Sequence, residues 1–277
     1  LARMPPQMSP EPPPTPESRH AKPLAIRAGL GRHIFGLGIM ALGLVGLVWG
    51  DFITGQPVPN DFPHRIALAY IVAAFLLCTG IIMQWRRSAS VGAAALAAYY
   101  LVIVIIVMHG PVLLARFKEY GVYEGLAEQF AIAAAALIVY ATTARIPAPL
   151  AARLTLIGQL TLGLCALIFG GAHFVYMNFT APLVPKWLPP SQVFWGYLTG
   201  VAFILAGLAL LSRIQARLAA NLLTAMLASF TLLVHLRMLF TDHKLKFNWT
   251  ELAINLAILG AAWIVADSFA SPNPHHT

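Results

Sequence analysis

Residues 89–112 read ASVGAAALAAYYLVIVIIVMHGPV. This stretch holds no Asp, Glu, Lys or Arg, and its polar residues do not alternate with its apolar ones. At about 1.5 Å of rise per helical residue, a run of this length crosses the roughly 30 Å hydrocarbon layer of a bilayer. Working outward along the chain, comparable apolar segments lie at 34–54, 66–85, 125–143, 154–176, 193–212, 218–240 and 250–268. Lipid offers no water to an unpaired backbone group, so spanning segments are helices or strands of a closed barrel. Long runs without strict alternation exclude the barrel. The sequence therefore predicts an all-α integral membrane protein with eight transmembrane helices.

Composition agrees. The chain has 277 residues, 59% of them hydrophobic and 10% charged, with a mean hydropathy of +0.75. Soluble domains carry roughly 25% charged residues, and a surplus of apolar side chains this large has no soluble core to hide in. The formal net charge of +8 comes from basic residues scattered in short clusters between the apolar runs. That is the pattern of membrane orientation signals, and it excludes the basic stripe with interleaved aromatics of a nucleic-acid reader. Cys78 and Cys165 stand alone in separate apolar runs, so no CxxC is available for dithiol chemistry.

Residues 1–30 form a Pro-rich tail containing PPQMSPEPPPTPE, expected to be a solvated, disordered arm. It lacks the apolar core of a secretory signal. Alternate connections divide the cations unequally. Lys22, Arg27, Arg32, Arg86, Arg87, Arg145, Arg153, Arg213 and Arg217 fall on one side, whereas Arg65, Arg116, Lys118, Lys186, Lys244 and Lys246 on the other are mixed with Asp61, Glu119 and Asp242. The Arg-rich side is expected to be cytoplasmic, with both termini there.

The two halves read as tandem, parallel four-helix bundles, at 31–145 and 150–269, followed by a short tail at 270–277. Asp51-Phe52 lies 122 positions before His173-Phe174, and the same shift relates Gly36 to Gly158 and Pro63 to Pro185. His109 and His235 end the third helix of each half, and Glu128 and Glu251 open the fourth. Gly80 and Gly207 fall in the second helix of each half, so the shift drifts from 122 to 127, as small loop insertions would make it; similarity at so nearly fixed a period marks duplication of a structural unit. Gly46-x-x-x-Gly50 and Gly196-x-x-x-Gly200 each suggest a glycine face for close helix packing.

Ionisable groups inside spans are costly and are functional candidates. Asp51, His109, Glu124 and Glu128 of the first half, and His173, His235, Arg237 and Glu251 of the second, collect at one end of the spans. Three readings stand side by side. The groups cap helices and anchor them at the interface, with carboxylates at helix starts and histidines at helix ends. Alternatively they line a polar pocket for quinone, with His173, His235 and Glu251 as the hydrogen-bonding and proton-exchanging groups. In that reading Asp51, His109 and Glu128 are diverged equivalents, while Tyr176, Arg237 and Asn255 contact the ligand. The third reading is metal or haem ligation through His173 and His235, although no HExxH or di-iron Glu-x-x-His pattern is present. Between the fifth and sixth spans, Pro182, Pro185, Pro189 and Pro190 forbid a continuous helix. This link, with Trp187 and Trp195 at headgroup level, is expected to cap the polar cluster.

The stretch from Gly170 to Leu211, GGAHFVYMNFTAPLVPKWLPPSQVFWGYLTGVAFILAGLALL, carries a specific resemblance. His173-Phe174, the VPKWLPP run from Val184 to Pro190, and GLALL from Gly207 to Leu211 resemble the DoxX family of small four-helix membrane proteins. The likeness extends loosely over 154–268 and reaches the first half only through the repeat. It departs at Phe203, where related sequences often carry a Glu, and in lacking the Cys pair of the thiol-redox relatives. The resemblance implies association with redox systems, since relatives include membrane subunits of thiosulfate:quinone oxidoreductase and MauE-like maturation proteins. The expected function is thus a redox-associated inner-membrane subunit that contacts quinone and docks a partner at the outer face. A small-molecule transporter and a purely structural assembly factor are the alternatives.

Overall fold

A computed structural model of the chain describes the backbone of residues 21–269 and the side chains of 29–269. Among the described residues all regular structure is helical. The eight helices long and apolar enough to span a membrane are α1 (Ala21–Trp49), α2 (Arg65–Ile82), α3 (Ala89–Arg116), α4 (Tyr120–Thr143), α5 (Ala148–Val175), α6 (Gln192–Ser212), α7 (Ala216–Thr241) and α8 (Lys246–Ser268). This is a multi-pass membrane protein whose lipid-facing surface is apolar. Two boundaries differ from expectation. Residues 21–30, assigned to the solvated tail, already belong to α1, while residues 1–20 and 270–277 lie outside the described residues. Helix α5 begins at Ala148 rather than near 154: Pro147 is its N-cap, and Pro149 stands in the first turn, where its missing N–H leaves no intrahelical bond unmade.

Helices adjacent in sequence pack against each other, and α8 closes the circuit on α1. The two units interlock. The first helix of each lies against the last helix of the other, in the pairs α1–α8 and α4–α5, and α4 meets α8 across the middle. These two are accordingly the most enclosed spans. Backbone contact between α1 and α8 depends on two glycines: a Cβ on Gly38 would sit 2.4 Å from the Ala257 nitrogen, and one on Gly260 2.3 Å from the Phe35 nitrogen. Without a hydrophobic force between helices in lipid, this close packing is what holds them together.

The repeat is present, but its register differs from the sequence-based one. Gly43 of α1 packs against Ala73 and Leu77 of α2, whereas Gly170 of α5 packs against Gly200 and Ile204 of α6. Each member lies 127 positions after its counterpart. Gly80 on Gly36 and Gly207 on Gly163 show the same offset. Buried residues extend it to α3 and α7 through Ala93 and Ala220, Leu96 and Leu223, and Tyr100 and Leu227. In α4 and α8 the offset is 126, from Ala127 with Ala253 to Ile138 with Ile264. The spacing of 122 in the first helices is therefore corrected, while the pairing of Gly80 with Gly207, at 127, agrees with the contacts. The counterpart of His173 is Gly46, not Asp51, and Glu251 corresponds to Gly125 rather than to Glu128. Gly50 stands past the end of α1 at φ 60°, so it ends the helix instead of sharing a face with Gly46.

Both third helices contain a π-helical stretch, Tyr99–His109 in α3 and Thr231–His235 in α7, and both stretches end on a histidine. Such widened turns free backbone carbonyls and re-aim side chains, and they concentrate at functional sites.

Candidate functional site

A cavity of about 590 Å³ lies in the second unit, beneath the link between α5 and α6. Its polar lining comes from four helices: His173 on α5, His235 on α7, Glu124 and Glu128 on α4, and Glu251 and Asn255 on α8. The remaining walls are mostly apolar and aromatic, with Phe169, Trp195, Phe203 and Phe230 among them. The packing of α4 against both α5 and α8 explains how carboxyls of the first unit reach a cavity in the second.

His173 is held in place. Its Nδ1–H donates to the Phe169 carbonyl at 2.8 Å, which fixes the tautomer and leaves Nε2 for a ligand. Its ring lies against Phe203, with centroids 5.3 Å apart, and stacks over Phe230 at 6.5 Å. His235 ends the π-helical stretch, and its buried Nδ1 has no hydrogen-bond partner among the described residues. Glu128 lies within electrostatic reach of both Glu251 and Glu124. None of these three carboxyls joins an ion pair among the described residues. Asn255 lines the cavity, but its amide nitrogen is committed to α7: it donates to the Leu227 carbonyl at 3.2 Å and to the Thr231 hydroxyl at 2.7 Å. It thereby braces the start of the widened turn.

Four residues expected at the site are elsewhere. Asp51 is clamped by Arg65 and by Lys246 Nζ at 2.6 Å, and accepts from the Phe52 N–H at 2.8 Å. It ties the end of α1 to the starts of α2 and α8. Burial works to raise its carboxyl pKa, but the hydrogen bonds and charges of Lys246 and Arg65 outweigh this and hold it below the ordinary carboxylate value. His109 is buried in the first unit, donating to the Val104 carbonyl at 3.0 Å. Tyr176 accepts from the Gly121 N–H at 2.8 Å and so joins α5 to α4. Arg237 is exposed on α7 and does not line the cavity.

The sequence reading noted Glu124 but did not place it at the site. Its position one turn before Glu128, on the same helix face, was the available signal. Phe203, noticed for the carboxylate it replaces, supplies the wall against which His173 rests. Among the described residues no group of three His, Cys, Asp or Glu side chains is arranged to hold a metal ion.

A family model described as a domain of unknown function (DUF8561) matches residues 162–266. The second unit is similar to that family. The match runs from within α5 to near the end of α8 and so takes in most of the cavity lining, but it omits α4, which supplies Glu124 and Glu128. No curated protein and no solved structure matches the chain.

Proposed function

We propose that this protein is a redox-associated subunit of a bacterial inner membrane that binds a quinone headgroup in the second-unit cavity. In this reading the Arg-rich ends face the cytoplasm, and the link faces outward, where a redox partner docks. One observation carries it: two histidines and three carboxyls converge on a cavity that is otherwise apolar. A quinone headgroup is a flat apolar ring with two oxygens. It fits a site with mostly hydrophobic walls and a few convergent polar groups. With its proton on Nδ1, neutral His173 presents Nε2 as an acceptor to a quinol hydroxyl, and once protonated it donates to a quinone carbonyl. Glu128 and Glu251 exchange the proton beside it, and electrons pass to or from a cofactor of the partner. The DoxX-like stretch 170–211, whose relatives serve quinone-linked enzymes, supports the same reading.

The test is a titration of nanodisc-embedded protein with ubiquinone-type ligands, read by quenching of Trp195, which lines the cavity. His173→Ala and His235→Ala are each expected to weaken binding at least about tenfold, the scale of losing a hydrogen bond to a buried polar group. Unchanged affinity in both variants overturns the assignment.

A further inference from the structure

The cavity is closed on one side and open on another. Its roof is the link, where Leu183, Val184, Pro185 and Leu188 face inward. Hydrogen bonds fasten that roof to the first turn of α6. Ser191 caps the helix by accepting from the Phe194 N–H at 3.1 Å, Gln192 donates to the Val184 carbonyl, and the Trp195 indole donates to the Pro189 carbonyl at 2.9 Å. The side is different. Phe179 and Leu198 both line the cavity, yet they are 62% and 43% exposed. A residue that faces a cavity and the surroundings at once marks its mouth. Leu198 stands six residues into α6, roughly 9 Å along a membrane-spanning helix at 1.5 Å per residue. Its surroundings are hydrocarbon. The first unit closes the matching place: Phe52, the counterpart of Phe179, is only 5% exposed and belongs to the packed interior, in a link that is irregular where residues 177–183 are helical.

We infer that Phe179 and Leu198 frame a lateral portal through which the ligand enters from the bilayer, its headgroup reaching His173 and His235 while an alkyl or prenyl tail stays among the lipids. This rests on the quinone reading and narrows its ligand class to membrane-resident, tailed quinones, as opposed to water-soluble redox compounds. A polar ligand arriving from water would have to pass a roof that is apolar on its inner face and pinned by three hydrogen bonds. A tailed one meets an apolar opening already at its own depth.

Three ligands with a shared benzoquinone headgroup, carrying no tail, a decyl tail or a prenyl tail, are titrated into nanodiscs of native protein, Leu198→Trp and Phe179→Ala. Partition into empty discs is subtracted. The tailed ligands are expected to bind at least about tenfold tighter than the bare headgroup, because chain carbons stay in apolar contact. Leu198→Trp slows their association about tenfold, on the scale of interface variants that obstruct docking. Phe179→Ala, at an exposed position that tolerates truncation, speeds it. If native protein binds the headgroup but tails confer no advantage and neither variant alters the association rate, the portal is wrong and the quinone site stands. If no quinone binds native protein at all, the quinone reading falls and takes the portal with it.

Discussion

The two units share one arrangement of helices and differ in the link after the first helix, irregular at 51–56 and helical at 177–183, and in what fills the interior. In the first, the link after α1 turns Phe52, Ile53 and Gln56 inward, where they are 5%, 3% and 3% exposed, and Gln56 donates to the Tyr99 hydroxyl at 3.0 Å. The residues 127 positions later are Phe179, Thr180 and Leu183, and these line the cavity. Tyr100 fills the first unit's interior with no exposed surface, and its counterpart Leu227 leaves space. Gly46, in turn, gives way to His173. The comparison teaches that a packed unit and a binding unit differ by a reshaped link and a handful of side-chain exchanges. Each loss of bulk opens volume, while His173 in place of Gly46 and Glu251 in place of Gly125 add polar groups to the lining. The plugged unit contributes α4, whose two carboxyls complete the open one.

The comparison can be broken most forcefully at Tyr100. Truncation by Tyr100→Ala is expected to destabilise the protein by about 3–5 kcal/mol, the range for emptying a buried aromatic site. Tyr100→Phe should change little, because the buried Tyr100 hydroxyl has no partner among the described residues, so its removal forfeits no hydrogen bond to them. Denaturant unfolding in mixed micelles checks both, and an unshifted midpoint for the alanine variant refutes the plug. Next in size is the reverse exchange. Leu227→Tyr installs the first unit's plug in the second, and should reduce quinone affinity at least tenfold, about 1.4 kcal/mol, with the fold retained. Undiminished affinity in that variant would place the ligand outside this cavity.

The smallest effect is at Asp51, which sequence reasoning put at the site and the structure puts in an ion cluster. Asp51→Asn should cost about 1 kcal/mol or less, since the group is partly exposed and its pairs are screened. Quinone affinity should not move. The folded carboxyl is held below its unfolded value, so its contribution is fully present above the unfolded pKa of about 4 and fades as pH falls through the folded one. Thermal scans from neutral to acid pH should show native protein and Asp51→Asn converging only below about pH 4. Convergence nearer neutrality would mean that the ion cluster does not hold this carboxyl down.

Much of this architecture was legible because crossing a bilayer is a local property of the chain. An uncharged run such as 89–112 spans wherever it sits. The duplication was legible too, though not its register. Matching Asp51-Phe52 with His173-Phe174 followed residue likeness along one helix. The correct offset follows the contacts of Gly43 and Gly170 with neighbouring helices. Glu128 was singled out for the wrong reason, as an equivalent of Glu251, whereas it is a second carboxyl in the same cavity.

The sequence by itself determined the eight spans, the scarcity of charge and the small set of titratable groups near one end. Only the tertiary structure decided that His173, His235, Glu128 and Glu251 share one cavity while Asp51, His109 and Tyr176 are spent on bracing helices. The reason is geometric. Hydropathy and length act through the solvent and need no neighbour. A site needs particular faces of α4, α5, α7 and α8 to converge, and that is set by glycine contacts between helices far apart in the chain.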